Sequence, residues 1–179
     1  MTSAPRASRL HHTAYVTTDL EKTRAFYEDL IGLPLVATWC EADVLFGELR
    51  TYCHCFFGLR DGSALAFFQF AEKKDDELFN PALTPSPFRH IALDIDAEAQ
   101  EAVAARLSAA GYAEPRTYIL EHGYCRSLYV EDPNGMLLEL TADAPEAIRP
   151  EIVAMKRETA HAELQRWLGG DHTSNNTYR

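Results

Sequence analysis

Residues 10–33 read LHHTAYVTTDLEKTRAFYEDLIGL, and the same outline returns near the middle of the chain. The opening His12-Thr13-Ala14-Tyr15-Val16 is a short apolar run of strand type. DLEKTRAFYEDLI follows from Asp19 as a helix, with Leu20, Phe26, Tyr27 and Leu30 on one broad apolar side. Thr18, with Glu21 three residues later, has the form of a capping box. Gly32, 20 positions after His12, supplies the left-handed residue that closes many helices. The second copy opens on His90-Ile91-Ala92-Leu93-Asp94 and continues as AEAQEAVAARLSAA from Ala97. Ala99, Val103, Leu107 and Ala110 keep helical spacing there, and Gly111 ends the helix 21 positions after His90.

Three strand-like runs follow each helix. In the first half they are residues 33–40, 49–59 and 64–71, with Asp61-Gly62 as the hairpin signal between the last two. In the second half they are 115–121, 125–131 and 136–142, with Asp132-Pro133-Asn134-Gly135 as the final turn. Both halves therefore read strand–helix–strand–strand–strand. Such internal repetition decides the fold before any single motif does.

The chain divides into an N-terminal tail (1–8), a first βαβββ module (9–72), a linker (73–86) and a second βαβββ module (87–143). A C-terminal helix (144–169) and a tail (170–179) complete it. The linker is polar and proline-bearing, which reads as loop. Pro150 suits a helix's first turn, Gly169-Gly170 its end, and Ile152, Met155, Thr159 and Trp167 lie near one side. The tail GDHTSNNTYR reads as frayed.

Composition limits the function. A formal net charge of -10 argues against nucleic acid or an anionic membrane as partner, because both attract a basic surface. No run approaches the ~18 apolar residues of a membrane helix, and MTSAPRASRLHH lacks the apolar segment of a secretory signal. The expectation is a cytoplasmic protein whose four cysteines (Cys40, Cys53, Cys55, Cys125) are reduced thiols.

The ordered fragments LHHTAYVTTDLEKTRAFYEDLIGL, FRHIALDID and LYVEDPNGMLLELTAD, which together span residues 10–143, resemble the vicinal oxygen chelate superfamily. That superfamily includes lactoylglutathione lyases, epimerases, fosfomycin-modifying transferases, bleomycin-binding proteins and extradiol dioxygenases. The resemblance implies an α+β fold of two βαβββ modules, a curled, cup-shaped mixed sheet with helices outside, plus the C-terminal helix. It implies one divalent ion held by His12, His90 and Glu139, with His12 rather than His11 matching the first-strand ligand. A fourth position, a carboxylate in lyases and epimerases, falls here on Ala66.

Residue chemistry agrees with this. Strand alternation puts His12, Ala14 and Val16 on one face, and turns Glu139 away from Leu138 and Leu140. An unpaired carboxylate in so apolar a strand costs on the order of several kcal/mol, and a cation removes that cost. Two imidazoles and one carboxylate leave positions open for substrate, as in non-haem Fe(II) oxygenases; Mn(II), Zn(II) or Ni(II) are the alternatives. Each residue taken singly fits a core histidine or an empty cup, and the three taken together favour metal. Cys53-His54-Cys55 is no zinc site, because consecutive strand residues point to opposite faces, though His54 can face the cup.

Tyr129, ten residues before Glu139, matches an active-site tyrosine of extradiol dioxygenases, and His122 stands where a proton shuttle could act. Arg126 pairs with an anionic substrate group or with an acidic neighbour. The phenylalanines of YCHCFFGL and ALAFFQFA are mostly core, and some suit a flat aromatic ligand. The leading expectation is an Fe(II) ring-cleaving dioxygenase acting on a small dioxygenated aromatic, in a homodimer. The alternatives are a glyoxalase-like lyase, an epimerase or a thiol transferase using the ion as a Lewis acid, and a non-catalytic small-molecule or antibiotic-binding protein.

Overall fold

A computed structural model describes residues 7–178 except 83 and 85, so most of the expected N-terminal tail, two linker positions and residue 179 lie outside the described residues. The chain forms two compact units, one of residues up to 89 together with 131–136, the other of 90–130 with 137 onward.

In the first unit β1 (His12–Val16) leads into α1 (Leu20–Arg24), which continues as a wider π-helical stretch from Ala25 to Ile31. Gly32 closes it at φ 95°. The helix cap is Asp19 rather than Thr18: its carboxylate accepts from the Lys22 N–H at 2.9 Å. A carboxylate also suits the positive end of the helix dipole. β2 (Leu35–Leu45), β3 (Glu48–Gly58) and β4 (Ala64–Phe70) complete a four-stranded sheet of order β1-β4-β3-β2. β1 pairs parallel with β4 and the other pairs are antiparallel.

The second and third strands run past their expected ends and meet in a hairpin at Phe46-Gly47, both at positive φ. No Asn-Gly or Asp-Gly marks this turn in the sequence. The linker is corrected as well, since Lys73–Phe79 is a helix, α2. Two of its polar residues are anchors. Asp76 Oδ1 accepts the Phe70 N–H at 2.8 Å, and Asp75 pairs with Arg50 at 2.9 Å, both side chains at most 5% exposed. The core lies between the sheet and α1, where Tyr27 packs against Phe57 and Phe67 at ring separations of 5.5 and 4.9 Å.

The second unit repeats the pattern with β5 (His90–Asp94), α3 (Ala97–Ala109), β6 (Thr117–Glu121), β7 (Cys125–Glu131) and β8 (Leu137–Asp143), in sheet order β5-β8-β7-β6. Each module thus carries its own mixed sheet. α3 buries Val103 and Leu107 as expected, but Gln100 takes the central place instead of Ala99 or Ala110. The Gln100 amide donates to the carbonyls of Arg126 and Leu140 at 2.9 and 2.6 Å. α4 (Pro150–Leu168) buries no residue and leaves Met155, Leu164, Trp167 and Leu168 at least half exposed. The tail beyond it is tied down, not frayed: Trp167 meets His172, and Arg166 pairs with Asp171 at 3.1 Å. No helix is long and apolar enough to cross a membrane among the described residues.

Candidate metal centre

Alternation along β8 separates two chemistries. Leu138 and Leu140 are buried on one face, and Glu139 stands between them on the other. In the parallel β5–β8 pair Ala92 lies opposite Glu139 and His90 opposite Leu137, so His90 shares the Glu139 face. His90 Nε2 lies 2.9 Å from Glu139 Oε2. Glu139 is only 7% exposed. Burial pushes its carboxyl upward, but bonds from Ser127, Tyr129 and Thr141 and the nearby His90 more than offset this, holding it below the usual carboxylate range. The group is therefore an anion at neutral pH, buried and aimed at an imidazole.

β7 supplies the surroundings. Ser127 and Tyr129, two residues apart, share a face; Ser127 Oγ lies 3.4 Å from Thr141 Oγ1. Burial, and then the Glu139 carboxylate, push the Tyr129 phenol up to about 12. Tyr129 thus keeps its proton as a donor. It stacks on Tyr118, meets the His90 ring edge-on at 5.8 Å, and has its oxygen 3.4 Å from His122 Nε2. The His122 tautomer decides which of these two atoms donates to the other. The structure therefore brings His90, Glu139, Tyr129 and His122 together within one unit. Sequence reading missed Ser127, Thr141 and Tyr118, although the two-residue spacing of Ser127 and Tyr129 was available as a signal. Arg126 points to the opposite face and pairs with Glu101 and Glu121 at 2.9 and 3.1 Å, the acidic-neighbour alternative.

In the first unit the register puts His12 on one face with Ala64, Ala66, Phe68, Phe56 and His54. The His12 ring lies 5.6 Å from Phe56 and 6.0 Å from His54, and His11 Nδ1 approaches His12 Nδ1 at 2.7 Å. His54 stacks on Phe68 at 3.6 Å, and its Nε2 is buried without a hydrogen-bond partner among the described residues. Burial, then the charge of His12, lowers the His54 pKa, favouring the neutral ring. Ala66 is fully buried, so no carboxylate stands at that position. Cys53 and Cys55 lie on the reverse face with sulfurs 4.0 Å apart, as alternation requires, and all four cysteines are free. A cavity of about 390 Å³ in this unit is walled by Phe67, Phe68, Phe79 and Met136, with Asn80 and Asn134 as its polar groups.

His12 belongs to the first unit and His90 and Glu139 to the second; among the described residues neither unit alone gathers three metal-ligating side chains. The donors suit a divalent ion chemically. A buried carboxylate held as an anion, touching an imidazole and hydrogen-bonded from behind by Ser127 and Thr141, has the outer support that metal ligands require.

In solved structures the fold resembles the fosfomycin resistance protein FosX of Listeria monocytogenes, at 22% identity over 79% of this chain and 96% of that one, TM-score 0.55. It also resembles the oxidase ChaP-H2, at 20% identity over 78% and 96%, TM-score 0.52. A third is a lactoylglutathione lyase of Agrobacterium tumefaciens, at 21% over 77% and 96%, TM-score 0.50. One FosX structure holds Mn(II) and a dihydroxypropylphosphonic acid. No curated protein matches the chain significantly. The family model for the Glyoxalase/Bleomycin resistance protein/Dioxygenase superfamily matches residues 9–140, more than half of the chain, and the chain belongs to that superfamily.

Proposed function

We propose that this protein is a divalent-metal-dependent dioxygenase acting on a small dioxygenated aromatic, with His12, His90 and Glu139 holding the ion. The observation that carries the proposal is the cluster on one face of the second sheet. An anionic Glu139 touches His90, a protonated Tyr129 bonds to Glu139, and His122 lies one hydrogen bond further out. Fe(II), when bound, supplies the one-electron chemistry by which O2 reacts with an electron-rich ring. The chain's own residues do the rest. Glu139 brings the negative charge that favours a cation. Tyr129 and His122 form a relay. In this relay the Tyr129 hydroxyl passes its proton to His122 Nε2 as it takes one from a substrate hydroxyl, and the reverse transfers return a proton to the product.

The first unit's His12 face suits the organic part of the substrate. Phe56 and Phe68 offer aromatic surface, and His54 Nε2 has hydrogen-bonding capacity that a substrate oxygen would satisfy. Ala66 carries no carboxylate to act as the base that lyase or epimerase chemistry asks of that position. A homodimer would cover the apolar side chains that α4 exposes.

The test is oxygen uptake by anaerobically Fe(II)-loaded protein with a panel of catechols and hydroquinones. The proposal expects consumption of one O2 per ring opened and label from ¹⁸O2 in the product. Turnover of a substrate at the same rate without O2 would assign the site to Lewis-acid chemistry instead.

A further inference from the structure

We infer that the C-terminal residues Asn176 and Tyr178 are positioning residues that hold His122 in place against Tyr129. The proton-handling role of His122 rests on the function proposed above; the strap itself rests on geometry alone.

His122 lies in the turn between β6 and β7, where its N–H donates to the Cys125 carbonyl at 2.9 Å. A four-residue turn of this kind at a sheet end frays readily unless something packs on it. Here the end of the chain does so. Asn176 Nδ2 donates to the His122 carbonyl at 3.3 Å, and Asn176 Oδ1 accepts the Tyr178 N–H at 3.0 Å, fixing the two tail residues to each other. Tyr178 backbone then occupies the space beside Gly123. A Cβ built on Gly123 would lie 2.8 Å from the Tyr178 Cβ and closer still to its carbonyl oxygen. Gly123 also sits at φ 80°, so both its conformation and its neighbour require glycine.

The aromatic contacts continue the connection. Tyr178 meets the Tyr124 ring edge-on at 6.3 Å, and Tyr124 stacks on His122 at 5.8 Å with 26° between the planes. Lys156 of α4 places its ammonium 5.8 Å from the Tyr124 ring centre and 5.5 Å from that of Tyr178. Such cation–π contacts lock both rings against the helix. Ala144 N–H donates to the Tyr124 carbonyl at 2.9 Å from the other side. His122 is therefore gripped through its carbonyl and one ring face, leaving Nε2 directed at the Tyr129 oxygen 3.4 Å away.

The experiment uses the full chain without metal and compares wild type with Tyr178→Ala, Asn176→Ala/Tyr178→Ala and Tyr178→Phe. Diethyl pyrocarbonate is the probe, with His122 carbethoxylation followed by peptide mass spectrometry. The ¹⁵N resonances of the His122 ring, assigned by their loss in His122→Gln, report its tautomer. The expectation is modification at least about fivefold faster in both alanine variants, together with a His122 signal averaged between tautomers. Tyr178→Phe, which keeps the ring, should restore both readouts to wild type. Unchanged modification and an unchanged tautomer in the alanine variants would overturn the strap. So would an equal acceleration at His161 and His172, which would mark general loosening. Neither readout depends on turnover, so failure of the dioxygenase reading in the oxygen assay is a separate result.

Discussion

Glu139 is a buried anion beside His90, its charge held by hydrogen bonds from Ser127, Tyr129 and Thr141. Its face followed from alternation with Leu138 and Leu140, and the resemblance nominated it. Its support did not follow, because Ser127, Tyr129 and Thr141 meet it only through the pairing of distant strands. Glu139→Gln keeps the shape and removes the charge, and is expected to weaken divalent-metal affinity by about 10–100-fold or more while leaving the thermal midpoint near wild type. Isothermal titration under nitrogen checks this. Tyr129→Phe removes the donor to Glu139 and the link to His122. Oxygen uptake is expected to fall about 10–100-fold with the metal still bound; an undiminished rate would remove Tyr129 from the mechanism. His54 was legible only as a cup-facing side chain. Its stacking on Phe68 and its unpartnered Nε2 depend on the β3–β4 register, which no local signal encodes.

At the scale of elements, two connections carry stability that the sequence did not announce. The β7–β8 turn packs within the first unit, where the buried Tyr27 hydroxyl donates to Asp132 Oδ2 at 2.9 Å. Tyr27→Phe should cost about 1.5–3 kcal/mol, the range for a hydrogen bond to a charged group, measured by urea unfolding. α2 is anchored by the buried Arg50–Asp75 pair. Asp75→Ala removes the buried partner of Arg50 and leaves its guanidinium only Glu48 and the Leu45 carbonyl. It should cost about 1.5–3 kcal/mol, whereas replacing both residues with Met and Leu should recover most of it. If the single and double variants unfold at the same urea concentration, the ion pair is not the anchor. α1, α3, α4 and all eight strands were legible because apolar period and closing glycines agree with one another. The β2–β3 hairpin escaped because Phe46 is an unusual residue for positive φ. α2 escaped because a run of charges resembles a solvated loop until a buried arginine is seen to receive one of them.

At the scale of the molecule, repetition made the architecture readable: two copies of one pattern constrain each other more tightly than either alone, and the family match over residues 9–140 agrees. His12, His90 and Glu139 were nominated by their places on the first and last strands of the modules, and their partnership as ligands is the proposal on which the functional account depends. The reaction was the least legible part, since the same three donors serve oxygen activation and Lewis-acid catalysis alike. The most direct test is anaerobic titration of metal-free protein with Fe(II) and Mn(II), for wild type and for His12→Ala, His90→Ala and Glu139→Gln. The account predicts one ion per chain and a loss of at least about tenfold in affinity for each variant. Wild-type affinity in His12→Ala would contradict it, because the first module would then contribute nothing to the centre.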